Sequence, residues 1–401
     1  MTGLGEVPGY RRFLTAATVS AFGSTITPLA VQLLVVNKLH RNSFALGLVS
    51  AAQWLPYLLF GLVAGALLDR RRRLPLQRWT DVGSAVVLGL IPLLTWLGGL
   101  TLPTLLAVMF CFGLFSLVNS VASQAFLPRL VPAPLLPAAN ARYDVGQASA
   151  ETSGPALAGA LVSWLGSALA VLVDAVSYLG SALLLSRVPA CEPAPSTSTE
   201  PVRRQVAEGV RWVYGHRLLR ALALGGHAWF ICSAAGRVVM IAFAVRTLHL
   251  APWLLGVAVA VGGVGGLIGS GFAARAGHRF GAGRTIIGSY LLIGVAFAVM
   301  ATAPDWSVFT VGQFVLGLGM GGSNANEMGL RQQVTPDQLQ GRMVATMRSM
   351  NRAMVVLFAP IGGYLGQVLG YRPVLVSAAV GFGLVAAGLS ASPVRAARFV
   401  S

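Results

Sequence analysis

The sequence predicts an all-α membrane protein, with twelve transmembrane helices in two pseudo-symmetric six-helix bundles. Three observations predict it. Of 401 residues, 55% are hydrophobic and only 10% are charged, where a soluble chain carries about 25% charge. Apolar windows of roughly 20 residues, the length that crosses a hydrocarbon core, occur twelve times and reach the C-terminus. Landmarks of the first half return about 204–206 positions later, as expected of two parallel halves, each with an even number of spans.

The windows run over 13–37, 43–68, 80–98, 103–124, 143–165, 167–186, 219–245, 252–273, 284–303, 305–327, 345–369 and 372–392. In lipid only helices or closed barrels satisfy every backbone polar group, and runs this long are helices. The joints at Gly98–Leu102, Leu165–Ser167 and Ala303–Asp305 are tight. After the second window, Asp69, Arg70, Arg71, Arg72 and Arg73 arrive in five consecutive positions. A charge knot between apolar runs marks a membrane boundary, and loops rich in Lys and Arg stay in the cytoplasm. With the N-terminus inside, 22 of the 29 basic residues fall in cytoplasmic segments and 4 in outer loops. The remaining 3, Arg237, Arg348 and Arg352, fall within windows. The net charge of +17 is thereby placed at the lipid surface, and no nucleic-acid partner is expected. Trp96, Trp164, Trp253, Trp306 and Tyr371 fall near outer ends, as an interfacial aromatic belt does. Trp54 and Trp229 fall mid-window, either as packing or as cavity lining. Arg supplies all the basic residues except Lys38. That bias, with much Ala, Gly and Leu, suggests a GC-rich bacterial genome; with the inside excess of basic residues, the expected location is a bacterial cell (inner) membrane, with both termini cytoplasmic.

The longest polar segment, 189–217, begins as a Pro/Ser/Thr-rich linker. Val206, Val210 and Val213 then recur near helical spacing among arginines. This predicts a short amphipathic helix over 202–216, lying on the cytoplasmic membrane surface. It divides the chain into an N-terminal bundle (1–188), a linker (189–217) and a C-terminal bundle (218–401).

The repeated landmarks are specific. Gly65 and its basic loop return near Gly269-Ser270-Gly271, Arg275 and Arg279. Gly154-Pro155 returns as Ala359-Pro360, and Leu127-Pro128-Arg129 more faintly as Leu330-Arg331. Gly65-x-Leu67-x-Asp69-Arg70, with its trailing arginines, resembles the signature loop of the major facilitator superfamily. Gly154-Pro155-x-x-Ala158-Gly159 resembles that family's antiporter motif, with Ala in place of one Gly and Gly146 one position out of place. Val173-Asp174-Ala175-Val176-Ser177-Tyr178 and Gln338-x-x-Gly341-Arg342 resemble its drug and siderophore exporters. The resemblance implies a secondary transporter rather than an enzyme. It implies a proton-coupled exporter of a small amphipathic compound (an antibiotic, drug or siderophore) working by alternating access; an uptake carrier is the alternative, and a membrane enzyme or receptor a third reading. The expected partners are that small molecule, protons and the bilayer, with the chain a monomer. This sequence has no Arg in the fourth span and no acid in the first, so the family's familiar coupling residues are not carried over.

The resemblance makes Asp69 a latch, with Gly65, Arg70 and Arg73 in the same switch. Its carboxylate would meet the N-terminal end of a helix in the other half, here the start of the eleventh span near Gly341 and Arg342. A helix N-terminus is worth up to ~2 kcal/mol to a well-placed carboxylate. Arg71 and Arg72 set topology. Glu151 lies eight residues into the fifth window, about 12 Å down at 1.5 Å per residue, with Gln147 one turn before it and Asp144 seven residues before. A carboxylate at such depth is functional by default, as a proton-coupling or substrate group. The competing reading is an ion pair with Arg237, Arg348 or Arg352. Arg348 and Arg352, at i and i+4, share a helix face; with Arg237 they either bridge the halves or bind an anionic substrate. Asp174 is read as structural, Glu327 as an interfacial charge, and Gly154, Pro155 and Gly159 as bending or thinning the fifth span. Gly317-x-Gly319-x-x-Gly322 lies inside an apolar span with no strand before it, so it is helix packing and not a dinucleotide loop. No phosphate loop for ATP is present. Cys111, Cys191 and Cys232 and the five scattered histidines lack metal spacing, so neither metal nor cofactor is expected.

Overall fold

The computed structural model describes residues 4–68, 71–189 and 202–399. Among the described residues there are thirteen α-helices and no strand: α1 (Tyr10–Leu33), α2 (Ser43–Leu68), α3 (Arg73–Trp96), α4 (Leu102–Leu130), α5 (Leu136–Leu165), α6 (Ser167–Ser186), α7 (Val202–Gly215), α8 (Arg217–Arg246), α9 (Pro252–Phe280), α10 (Ala282–Thr302), α11 (Trp306–Gln333), α12 (Asp337–Val368) and α13 (Tyr371–Ser390). A π-helical stretch, Leu34–Lys38, continues α1. Every helix except α7 has 20 residues or more. Nine are long and apolar enough to cross a membrane; α5, α11 and α12 are the long helices that fall short.

The tight joints have local causes. Gly166 separates α5 from α6 at φ 81°, and Gly281 separates α9 from α10 at φ 94°, both in the region glycine enters without steric cost. Thr101 and Thr104 close a capping box at α4. Asp305 caps α11 by accepting from Ser307 N at 2.9 Å, Ser307 Oγ at 2.7 Å and Val308 N at 3.2 Å. The Ser307 hydroxyl and these backbone donors hold its carboxyl below the usual range.

Several helices outrun their apolar windows. α4 runs on to Leu130, α9 to Phe280 and α11 to Gln333, while α5 begins at Leu136 and α12 at Asp337. The hydrocarbon thickness limits the apolar run, but the backbone ladder continues into the polar zone at no hydrogen-bonding cost. Arg129, Arg142, Arg275, Arg279, Arg331 and Arg342 therefore stand on helices, not in loops.

The chain divides into two compact units, Met1–Leu39 with Ala52–Val202, and His40–Ala51 with Arg203–Ser401. In the first, α1 packs on α5 and α6, and α3 packs on α4 and α6. In the second, α8 packs on α12 and α13, and α10 on α11 and α13. The pairing is the same seven helices on, α7 being the insertion. An apolar cluster through Tyr10, Leu74, Leu127 and Leu185 ties α1, α3, α4 and α6 together. Leu222, Ile286, Leu330 and Leu389 do the same for α8, α10, α11 and α13. The duplication read in the sequence is thus a duplication of packing.

The glycine run of α11 is a backbone contact with α9. A Cβ on Gly317 or Gly321 would collide with the carbonyls of Gly262 and Gly266, and one on Gly265 or Gly269 with those of Phe314 and Leu318. Small residues let membrane helices approach this closely.

α7 packs on the protein through part of its apolar face. Val213 is fully buried with Leu219, Ala223, Met343 and Met347, Trp212 Nε1 donates to Thr335 Oγ1 at 3.4 Å, and Glu208 pairs with Arg342. The helix is docked on α8 and α12. Residues 190–201 of the linker, Cys191 among them, lie outside the described residues.

Candidate functional site

A cavity of about 370 Å³ opens inside the first unit, within the size range of small-molecule sites. Helical periodicity supplies its walls. Gln77, Asp81 and Ser84 present one face of α3; Ser116, Asn119, Ser120 and Ser123 one face of α4; Tyr143, Gln147 and Glu151 one face of α5. Residues three and four apart share a face. Phe13, Ser24 and Thr25 of α1, Tyr57 of α2, and Tyr178 and Ser181 of α6 also line it. Among the described lining residues none is Lys, Arg or His.

Asp81 anchors the wall. It is 2% exposed. Asn119 Nδ2 donates to its Oδ1 at 2.6 Å and Ser181 Oγ to its Oδ2 at 2.6 Å, so one carboxylate joins α3, α4 and α6. Asn119 also donates to Thr80 Oγ1 at 3.0 Å. One turn before Asp81, Gln77 is 3% exposed and its Nε2 has no hydrogen-bond partner among the described residues. Sequence reasoning missed both. The apolar window was started at residue 80, so Asp81 sat at its edge and Gln77 outside it, whereas the helix begins at Arg73. The missed signal was the i, i+4, i+7 spacing of polar groups counted from the arginine knot.

Glu151 lines the same cavity and is exposed. α5 begins at Leu136, so Glu151 stands fifteen residues into the helix, about 22 Å along its axis at 1.5 Å per residue and at its middle. Gln147 lines the cavity; Asp144 is exposed and does not. Asp174 lies behind the wall, fully buried, accepting from the hydroxyls of Thr27 and Ser177. Tyr178, one turn on, lines the cavity, its hydroxyl 2.9 Å from Ser24 Oγ. Gly154 is buried against Thr25 of α1, and α5 runs as one helix through Pro155, with Ala158 and Gly159 also buried.

The remaining candidates lie elsewhere. In the second unit, Arg237 donates from Nε to Ser233 Oγ and from a guanidinium nitrogen to Met320 Sδ, both at 3.2 Å. Arg352 lies 5.7 Å from the Phe230 ring centroid, and Arg348 is half-buried on α12. Glu327 is no interfacial charge. It is buried, accepts from Tyr290 Oη at 2.7 Å and pairs with Arg331 at 2.5 Å. Trp54 packs on Tyr57 with ring centroids 5.1 Å apart, and Trp229 on Phe230 at 4.8 Å and Phe382 at 6.2 Å; neither lines this cavity. His227, read as one of several scattered histidines, joins three helices: its ring nitrogens lie 2.7 Å from Tyr214 Oη and 2.8 Å from Asn351 Oδ1.

One detail of the switch is corrected. Gly341 and Arg342 are not a helix start, because α12 begins at Asp337, and Arg342 is held by Glu208 of α7. Arg73, expected in the switch, is 1% exposed at the first turn of α3. Gly65 closes α2, while Asp69 and Arg70 lie outside the described residues. Among the described residues, no three His, Cys, Asp or Glu side chains gather in a way that could hold a metal ion.

Residues 7–399 match the protein family described as "Transmembrane secretion effector". The MFS-type transporter y4rN of Sinorhizobium fredii is 29% identical over 367 residues, covering 90% of this chain and 89% of its own. The multidrug efflux pump Tap of Mycolicibacterium fortuitum is 26% identical over 375 residues, covering 89% of each chain. Among solved structures, an inward-facing bacterial homologue of the human lysosomal transporter Spinster superposes with a TM-score of 0.75 at 13% identity, covering 95% of this chain and 96% of its own. That likeness bears on the fold.

Proposed function

Because the chain belongs to the major facilitator superfamily, as a multi-pass membrane transporter of small molecules, we propose that it exports a small amphipathic compound in exchange for protons. The observation that carries this reading is Glu151. It stands at the middle of a membrane helix, on the wall of a polar cavity, with no hydrogen-bond partner among the described residues. An ionisable group at that depth is retained for function. When it changes charge, the free-energy difference between two conformations changes, and one proton biases alternating access. Asp81, Tyr57, Tyr143 and Tyr178 are the other titratable groups on the described cavity wall. The likeness to the efflux pump Tap supports the outward direction. The 22-to-4 distribution of basic residues supports a bacterial inner-membrane location with cytoplasmic termini. Asp69 serves as the latch of the cytoplasmic switch.

The test is transport by the purified protein in vesicles of known orientation, with labelled amphipathic compounds and an imposed pH gradient. Accumulation on the side equivalent to the cell exterior, abolished by a protonophore, is expected. Transport indifferent to the gradient overturns the coupling, and uphill movement only in the opposite direction overturns export.

A further inference from the structure

The cavity of the first unit is chemically one-sided. Its described lining holds two carboxylates, Asp81 and Glu151, and no basic side chain. Asp81 is held on one side by Asn119 and on the other by Ser181, and a carboxylate has about four lone-pair sites, so two remain for a ligand. One helical turn away, the buried Gln77 amide offers a donor with no partner. A buried donor left unmade is costly, and Gln77 is one of the residues that line the cavity. The rings of Phe13, Tyr57 and Tyr178 add π faces, which attract cations.

We propose that this cavity is a binding site for a hydroxylated or carbonyl-bearing organic amine. Asp81 is the counter-ion of the ammonium, and Gln77 donates to an oxygen of the same molecule. Each wall group accounts for one part of the ligand: the carboxylates for positive charge, the unpartnered amide for an acceptor, the aromatic rings for an apolar body. An anion is excluded, because nothing on the described wall neutralises it and two carboxylates repel it. The proposal rests on the transport reading for its biological sense, but it concerns equilibrium binding and needs no gradient.

The experiment is equilibrium dialysis of labelled probes against the full-length protein in lipid nanodiscs, with no pH difference. The probes share one aromatic body: phenylethanolamine, its neutral counterpart phenylethylene glycol, its anionic counterpart mandelate, and phenethylamine, which lacks the hydroxyl. Phenylethanolamine is expected to bind at least about tenfold more tightly than the glycol, a difference of ~1.4 kcal/mol, with mandelate weakest. Asp81→Asn is expected to remove the preference for amine over glycol. Gln77→Leu is expected to remove the preference for phenylethanolamine over phenethylamine. If Asp81→Asn is poorly folded, Glu151→Gln, at an exposed position, is expected to narrow the amine preference in its place. Equal binding of amine and glycol, tighter binding of mandelate, or no binding of the amine overturns the proposal. A wild-type protein that shows the amine preference but ignores a pH gradient in vesicles overturns only proton coupling.

Discussion

Asn119 on α4 donates to Asp81 on α3 at 2.6 Å, and Ser181 on α6 donates to the other oxygen of the same carboxylate at 2.6 Å. Three helices that could slide past one another in a purely apolar bundle are thereby held in register by one acid. Hydrogen bonds to charged groups contribute ~1.5–3 kcal/mol, against ~0.5–1.5 for neutral pairs. Ser181→Ala is therefore expected to destabilise the protein by ~1.5–3 kcal/mol if Asp81 is ionised. Thermal unfolding in detergent measures it. A loss of only ~0.5–1.5 kcal/mol would mean that Asp81 carries a proton, and a smaller one that it finds another donor.

Glu151→Gln keeps the shape of the cavity wall and removes its chargeable group. The variant is expected to bind and exchange substrate while losing transport driven by a pH gradient. Vesicle counterflow and gradient-driven uptake, measured side by side, separate the two. Unchanged gradient-driven transport would move the coupling to Asp81.

Asp69→Asn removes the charge of the latch and leaves the basic loop intact. The protein is expected to reach the membrane at normal levels and to transport several-fold more slowly. A well-expressed variant with wild-type transport rates argues against the latch.

Gly321 meets the Gly266 carbonyl of α9, whereas Gly288 on α10 faces open space. Overpacking a tight contact costs ~1–3 kcal/mol or more. Gly321→Val is expected to lower the unfolding temperature and promote aggregation, and Gly288→Ala to change neither. Size-exclusion profiles with thermal scans decide it.

α7 is held by Val213 and by the Glu208–Arg342 pair, and the two are unequal. The ion pair is 46% and 27% exposed, and exposed pairs contribute only ~0.2–1 kcal/mol. Val213 is fully buried, and Val213→Ala removes two methyl groups, worth about 1.5 kcal/mol. Hydrogen exchange in α7 is expected to rise more in Val213→Ala than in Glu208→Gln. The reverse order would assign the docking to charge.

The bundle was legible in the sequence because each span must be apolar for a fixed length, and glycine must stand wherever two backbones touch. Gly317, Gly319 and Gly322 were read as packing for that reason, and each meets a neighbouring helix. Helix ends were less legible, because hydropathy marks where lipid stops and not where the helix stops. That one ambiguity hid Gln77 and Asp81, and put Arg331 and Arg342 in loops. Glu327 was misread because its partners arrive by different routes: Arg331 is an i+4 neighbour on its own helix, but Tyr290 comes from α10, and no local pattern announces it. α7 was legible as amphipathic, but amphipathicity does not say whether lipid or protein covers the apolar face.

The helices that fall short of membrane-spanning character, α5, α11 and α12, bear on biogenesis. A segment carrying Asp144 and Glu151, or Arg348 and Arg352, partitions poorly from the insertion machinery into lipid on its own, since each charged residue at a helix centre costs ~2.5–3.5 kcal/mol. Each of the three packs on a more apolar helix that is synthesised earlier: α5 on α1, α11 on α9, α12 on α8. The order of the elements along the chain therefore sets an assembly schedule. The ribosome delivers a stable wall first, and each polar helix enters the bilayer against a partner already there.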